Sequence, residues 1–277
     1  MPQQHPFDQA IQLTPIATEG DITRWNGATH PAYWNMIGPF GGTTASIIMQ
    51  SLLGHPQRLG DPISLTLTYA RAVAEGDFEV VTQLVCATRS TQHWSVQLLQ
   101  GESRAVAVNA IAMFATRRDT WAAQEAVMPA APAAADCDVT APPAGVPAWV
   151  ANYEFRFITG SIQDGRSGQG RDDSTSLFWL RETPSRPLEF AALTSFCDAF
   201  FPRLYLRRGA PAPAGTVSFN VYFHADAQRL AQVGAEPVLC MARGLNFGGG
   251  FFDQNAQVWS ADGFLLANTQ QMVWYKE

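Results

Sequence analysis

The chain has 277 residues, 47% of them hydrophobic and 15% charged, with a formal net charge of -6 and a pI near 5.4. That length and composition suit one large domain or two of ordinary size with a sizeable core. The acidic balance argues against a nucleic-acid binder, and the sequence shows neither a signal-peptide pattern nor an apolar run long enough to span a membrane.

The first predicted element is a helix over "FGGTTASIIMQSLL" (40–53). It has small or apolar residues on all sides, the pattern of a buried helix. A β-type run, "ISLTLTYARAV" (63–73), follows, and then two long β-type runs separated by the hairpin signal "QGES". The stretch 117–150 is rich in Ala and Pro, and Pro removes donors and fixes the backbone. It reads as a linker, giving an N-terminal unit at 1–120, a linker at 121–148 and a C-terminal unit at 149–277.

The second unit repeats the first. "PLEFAALTSFCDAFFPRLYL" (187–206) predicts a helix that opens on Pro187 and breaks near Pro202. Then come "VSFNVYFHADA" (217–227) and two β-type runs separated by "SADG". "SLTLTY" (64–69) lies over "SFNVYF" (218–223), and "DFEVVTQLVCATRS" over "EPVLCMARGLNF". A helix followed by long antiparallel strands, twice, is an internal repeat. The fold class expected is α+β: two curved antiparallel sheets, each wrapped around a central helix.

Four cysteines, Cys86, Cys137, Cys197 and Cys240, lie far apart without a CxxC pair. This speaks against a zinc knuckle, a redox motif or a disulfide framework, and for a soluble protein of a reducing compartment, the cytoplasm. His5, His30, His55, His93 and His224 show no metal-ligand spacing. "GRSGQGRDD" (165–173) lacks the Walker Lys-Ser/Thr. The G-x-S-x-G of a serine hydrolase elbow is missing. No metal or cofactor is expected.

One residue stands out. In "LTSFCDAFFPR" (193–203), Asp198 interrupts an apolar run. An unpaired carboxylate in a core is costly, and near a helix C-terminus it opposes the dipole. Perturbed groups of this kind cluster at functional sites.

The layout resembles the double hotdog of the type II acyl-CoA thioesterases. "FGGTTASIIMQSLL" resembles that family's first hotdog helix, which opens Phe-Gly-Gly. "TVSFNVYFHADA" is similar to its strand Thr-x-Asp-His-x-x-Trp-Phe-His, and "SADGFLLANTQQMVWYKE" to its last hairpin. The resemblance implies hydrolysis of an acyl-CoA substrate, a homo-oligomer, and a catalytic set of Asp198, Thr216 and Gln271. Two departures stand beside it. The Asp-His pair after the Thr is Ser218-Phe219 here, and a one-residue slip on the last strand selects Gln270 instead of Gln271.

Thioester hydrolysis needs an oriented water, a group to take its proton and donors for the oxyanion. Asp198 suits the first two tasks. Burial raises its pKa and hydrogen bonds to it lower it, and the sequence leaves the balance open. Thr216 poses a difficulty: regular alternation places it on the face of Ser218 and Asn220, opposite Phe219, so it reaches Asp198 only at a twisted or bulged strand start. Gly41 and Gly42, at the start of the first helix, are candidates for binding the thioester carbonyl. Arg203 and Arg207 are candidates for the coenzyme phosphates. Two other readings remain: a double-hotdog dehydratase or hydratase, which needs His30 or His55 beside Asp198, and a non-catalytic acyl-CoA-binding protein.

Overall fold

The computed structural model describes residues 4–276. A short helix α1 (Pro6–Ala10) leads into strands β1 (Thr14–Glu19) and β2 (Ile22–Ala28) and the buried helix α2 (Gly41–Leu53). Strands β3 (Asp61–Tyr69), β4 (Asp77–Ala87), β5 (Thr91–Gln100) and β6 (Ala105–Ala115) complete the first half. The second half holds β7 (Tyr153–Thr159), β8 (Ser176–Glu182), α3 (Phe190–Phe196), α4 (Arg203–Arg208) and β9 (Ala214–Phe223). It ends with α5 (Ala227–Val233), β10 (Val238–Arg243), β11 (Phe247–Gly248), β12 (Phe251–Trp259) and β13 (Leu265–Tyr275). Among the described residues, no helix is long and apolar enough to cross a membrane.

Where two sheets were expected, the strands form one. Its order is β1-β2-β4-β5-β6-β3-β9-β13-β12-β10-β8-β7, with β11 attached to β12. The halves join where β3 pairs antiparallel with β9, in register from Ser64 opposite Tyr222 to Thr68 opposite Ser218. This junction removes the two strand edges that separate sheets would leave open.

The helices lie side by side on the inner face. In α2, Ala45, Ile47, Ile48, Met49 and Leu52 are all buried. Its small residues allow close approach to α3, and the Ser46 hydroxyl lies 2.7 Å from the Ala191 carbonyl. From the sheet, Leu65, Leu67, Phe219 and Val221 face the same core, each two residues from the next along its strand.

The second helix differs from the sequence expectation. It ends at Phe196, not near Pro202, and Pro202 becomes the N-cap of α4. The cause lies in the chain itself: Pro202 cannot donate to residue 198, and it disfavours a helical residue before it. The backbone therefore tightens early, with Asp198 N–H donating to Ser195 O and Phe200 N–H to Asp198 O. Asp198 is thus placed just past a helix end, in an irregular segment that can turn its carboxylate inward.

The Ala/Pro-rich stretch is not a loose tether. Ala126, Met128, Ala131, Ala134 and Cys137 pack against Leu177, Trp179, Leu239, Trp259 and Leu265, on the other face of the second half's strands. The Trp179 indole donates to Pro132 O at 2.9 Å. The Gln124 side chain pairs with Leu265 N–H and Gly263 O, in the manner of an added strand.

Candidate active site

Three separated stretches meet at Asp198. Asp198 is only 8% exposed. From β13, the Gln271 amide donates to Asp198 Oδ1 at 2.8 Å. From the start of α2, the Gly42 N–H donates to the same carboxylate. From β9, the Thr216 hydroxyl donates to Gln271 Oε1 at 3.1 Å. The result is a directed chain, Thr216 to Gln271 to Asp198, in which the two partners fix the orientation of the amide.

Strand register explains how Thr216 arrives there. Gln271 lies opposite Phe219, and Met272 opposite Ser218, but Val273 lies opposite Thr216. Val217 is therefore an extra residue, a β-bulge. Without it Thr216 would point to the outer face; with it, Thr216 shares the inner face of Phe219 and Gln271. The same register settles the Gln pair: Gln271 is buried and Gln270 exposed. Of the departing pair, Phe219 is fully buried beside Gln271. Ser218, opposite the exposed Met272, takes the outer face.

The glycines permit the close approach. A Cβ on Gly41 would stand 2.8 Å from Asp198 Oδ2, and one on Gly42 2.8 Å from Ser195 O. Any larger residue would push α2 away from the segment that bears the carboxylate. In this arrangement the Gly42 N–H serves Asp198 itself, so it is not a free donor for a thioester carbonyl.

Burial dominates the electrostatics of Asp198. Desolvation raises its pKa to about 7, against the lowering effect of the hydrogen bonds from Gln271 and Gly42. A base that titrates near neutrality is matched to proton transfer at physiological pH.

Two tyrosines join the site that sequence reasoning missed. The Tyr69 hydroxyl, at the end of β3, donates to Gly41 O at 2.8 Å and would lie 3.4 Å from a Cβ on Gly41. Burial and the nearby Asp198 both push its pKa up. The Tyr153 hydroxyl lies 2.6 Å from Ser195 Oγ. Neither tyrosine carries a motif; each is a strand-end aromatic whose role depends on the tertiary approach of α2 and α3.

Arg203 is a correction. It is fully buried and donates to Phe201 O, Ser174 O, Ser176 Oγ and Gln254 Oε1. Its guanidinium also stacks on the Phe201 ring. Burial lowers its pKa to about 9, still above neutrality, so it is a charge dissolved in backbone and amide dipoles. It ties α4 to β8 and β12 and is closed to a coenzyme phosphate. Arg207, one turn later, is exposed and donates to Arg171 O at 2.8 Å. The structure does not bring it into contact with Asp198, Gln271 or Thr216.

The two histidines that a dehydratase would need are engaged elsewhere. His55 pairs with Thr23 at 2.9 Å and packs edge-on against Trp94. His30 accepts from Ala32 N–H at the start of a 3-10 turn. A large open groove of about 730 Å³ lies over the first half, along Asn26, Asp77, Glu79 and Arg104. It includes none of the Asp198 partners and shares nothing with this chemistry.

A buried carboxylate is thus held by an amide and a helix start, with a hydroxyl behind the amide, against one antiparallel sheet. Comparison with known proteins shows the family. The family model for the acyl-CoA thioesterase N-terminal domain matches residues 30–115, and that for the C-terminal domain matches residues 123–275. The chain therefore belongs to the acyl-CoA thioesterase family, and its fold is the hotdog fold. A hot dog fold protein of unknown function from Alicyclobacillus acidocaldarius is 38% identical, with a TM-score of 0.91 over 99% of each chain. A putative thioesterase II from Thermobifida fusca YX is 18% identical, with a TM-score of 0.81 over 98% of this chain and 97% of that one. The acyl-CoA thioesterase II TesB2 from Mycobacterium marinum is 17% identical, with a TM-score of 0.74 over 98% of both. Among curated proteins, no match to the sequence is found.

Proposed function

We propose that this protein hydrolyses acyl-CoA thioesters to the free acid and coenzyme A. The observation that carries the reading is the 2.8 Å contact between the Gln271 amide and the buried carboxylate of Asp198, with Thr216 behind it. Asp198 takes a proton from a water, and the water oxygen attacks the thioester carbonyl carbon. The carbon–sulfur bond breaks and the proton goes to the departing thiolate. Gln271 holds the carboxylate and orients the water, and Thr216 holds Gln271. The positive end of α2, at Gly41, meets the developing oxyanion, while the Gly42 N–H stays on Asp198.

Family membership and likeness to thioesterase II structures support the reaction class. The residue roles rest on the geometry just described. Arg207 is the exposed cation we retain for the coenzyme phosphates; Arg203 is withdrawn. The four free thiols suit the reducing cytoplasm.

The test is thiol release from acyl-CoA by the Asp198→Asn variant. The amide fits the same space but cannot accept the water's proton. Turnover should fall by at least about a hundredfold, the usual contribution of a positioned base, while the thermal midpoint holds. Unimpaired turnover would remove Asp198 from the mechanism.

A further inference from the structure

The outer face of the sheet, opposite α2 and α3, is nearly bare of charge at its middle. Strand register aligns its side chains in rows. One row runs through Ser95, Ile111, Thr66, Asn220, Gln270 and Asn255, across β5, β6, β3, β9, β13 and β12. Residues two places up or down each strand point the same way, so a parallel row of six flanks it on either side. None of the side chains in these three rows is buried. A soluble surface is roughly 25–35% Lys, Arg, Asp and Glu, or about five such residues in an area of this kind. Here Asp253 is the single one. Its carboxylate already accepts from the Leu245 and Asn246 N–H groups and from the Asn255 amide. Three large apolar side chains stand in the same rows, Ile111 at 63%, Tyr222 at 49% and Met272 at 41% exposure.

The chain covers the adjoining part of this face with its own Ala/Pro-rich stretch. Gln257, at the β12 end of one row, lies opposite Met241, and Met241 packs with that stretch over Trp179, Leu239 and Trp259. The cover stops short of the rows. On the far side, beyond β5, the rim carries Glu79 of β4, paired with Arg24 and Arg104. An uncharged centre with Tyr and Met side chains and a charged rim is the composition of a protein interface. With strands about 4.8 Å apart and alternate residues about 6.7 Å apart along each, the rows span roughly 30 by 20 Å. Once the side chains stand out of it, such an area is on the order of the 800 Å² per partner that a stable complex buries.

We infer that a second copy of this chain docks on this face, sheet against sheet. A twofold interface lays a patch on itself, so any fixed charge in it would meet its own sign. In a chain of net charge -6, this patch is the region that avoids such repulsion. Most of its side chains are hydroxyls and amides, which both donate and accept, so the surface complements itself. The rows are centred on the β3–β9 junction, with Ile111 one strand to one side and Met272 one strand to the other. The apolar anchors are therefore spread about the centre. Gln270 and Met272 flank Gln271 on β13, so the docked copy braces a strand that carries a site residue. The inference does not depend on the hydrolase reading.

The test is the mass in solution, measured by sedimentation at micromolar concentration. The unmodified chain should give at least twice its 30.2 kDa. Asn220→Lys, at the centre of the patch, should halve that mass, because like charges then face each other, and Asn220→Asp should do the same. An equal mixture of the two variants should restore it, since opposite charges then meet. Ile16→Lys, on β1 at the far edge of the sheet, should leave it unchanged. Far-UV circular dichroism checks the fold of each variant, and Ile111→Lys, which should also halve the mass, carries the test if the Asn220 variants fail to fold. A single-chain mass for the unmodified protein would overturn the inference. So would an assembly that survives the folded patch variants, a mixture that stays apart, or one that Ile16→Lys dissociates.

Discussion

Asp198 is the base of the proposed reaction, and its ionisation makes a directional prediction. Burial lifts its pKa to about 7, above the value in an unfolded chain. The proton on Asp198 therefore favours the fold at low pH, and that contribution is lost as pH rises through about 7. Activity should run the other way, because only the carboxylate is a base. The logarithm of kcat/KM should climb with unit slope and level off near pH 7. A profile that falls above pH 7 would assign Asp198 the acid's role instead. Arg203 calls for a different measurement. Four neutral groups accept hydrogen bonds from its guanidinium inside the protein. Arg203→Leu would leave them unpaired, at roughly 1–3 kcal/mol for each one that stays buried. Chemical denaturation should show a loss of at least about 3 kcal/mol. A variant that kept its stability and only raised KM for acyl-CoA would restore Arg203 to the ligand.

Among the elements, β9 shows how a local irregularity makes a site. The extra residue at Val217 turns Thr216 inward onto Gln271. Thr216→Val keeps the β-branched shape but removes the hydroxyl. One ordinary hydrogen bond is worth about 1 kcal/mol, so kcat/KM should fall by about fivefold to tenfold. Deleting Val217 should cost activity in the same way, since regular pairing returns Thr216 to the outer face. Equal activity in both variants would mean that Thr216 only starts a strand. The break between α3 and α4 is a second such case. Pro202 ends the helical path, and the freed segment, not the helix itself, presents the carboxylate. A helix continuing through 206 would have bound Asp198 to a fixed position on its surface.

The continuous sheet couples the halves. Asp198, Thr216 and Gln271 come from the second half, whereas Gly41, Gly42 and Tyr69 come from the first. The β3–β9 ladder and the contact between α2 and α3 hold the two sets in register. Calorimetry of the intact chain should therefore show one cooperative transition. Residues 1–120 alone should lack one, because β3 would become an open edge and α2 would lose its neighbour. Two resolved transitions in the intact chain would show the halves to be energetically separate.

Much of this was legible in the chain. Periodicity, composition and the duplicated order of elements sufficed for two helix-and-strand units, for the buried character of α2 and for the oddity of Asp198. These depend on neighbours in sequence, where hydrophobic pattern and backbone preference act directly. The resemblance to the family added Thr216 and Gln271 as partners, while leaving the Gln register open. Other features could not be read that way. The fusion of two sheets into one, the bulge at Val217, the burial of Arg203, the roles of Tyr69 and Tyr153 and the packing of the Ala/Pro-rich stretch all depend on pairings between residues far apart in the chain. An arginine after a helix looks the same in sequence whether it faces water or a ring of carbonyls. Its role is set by which strands close over it, and that is a property of the folded arrangement.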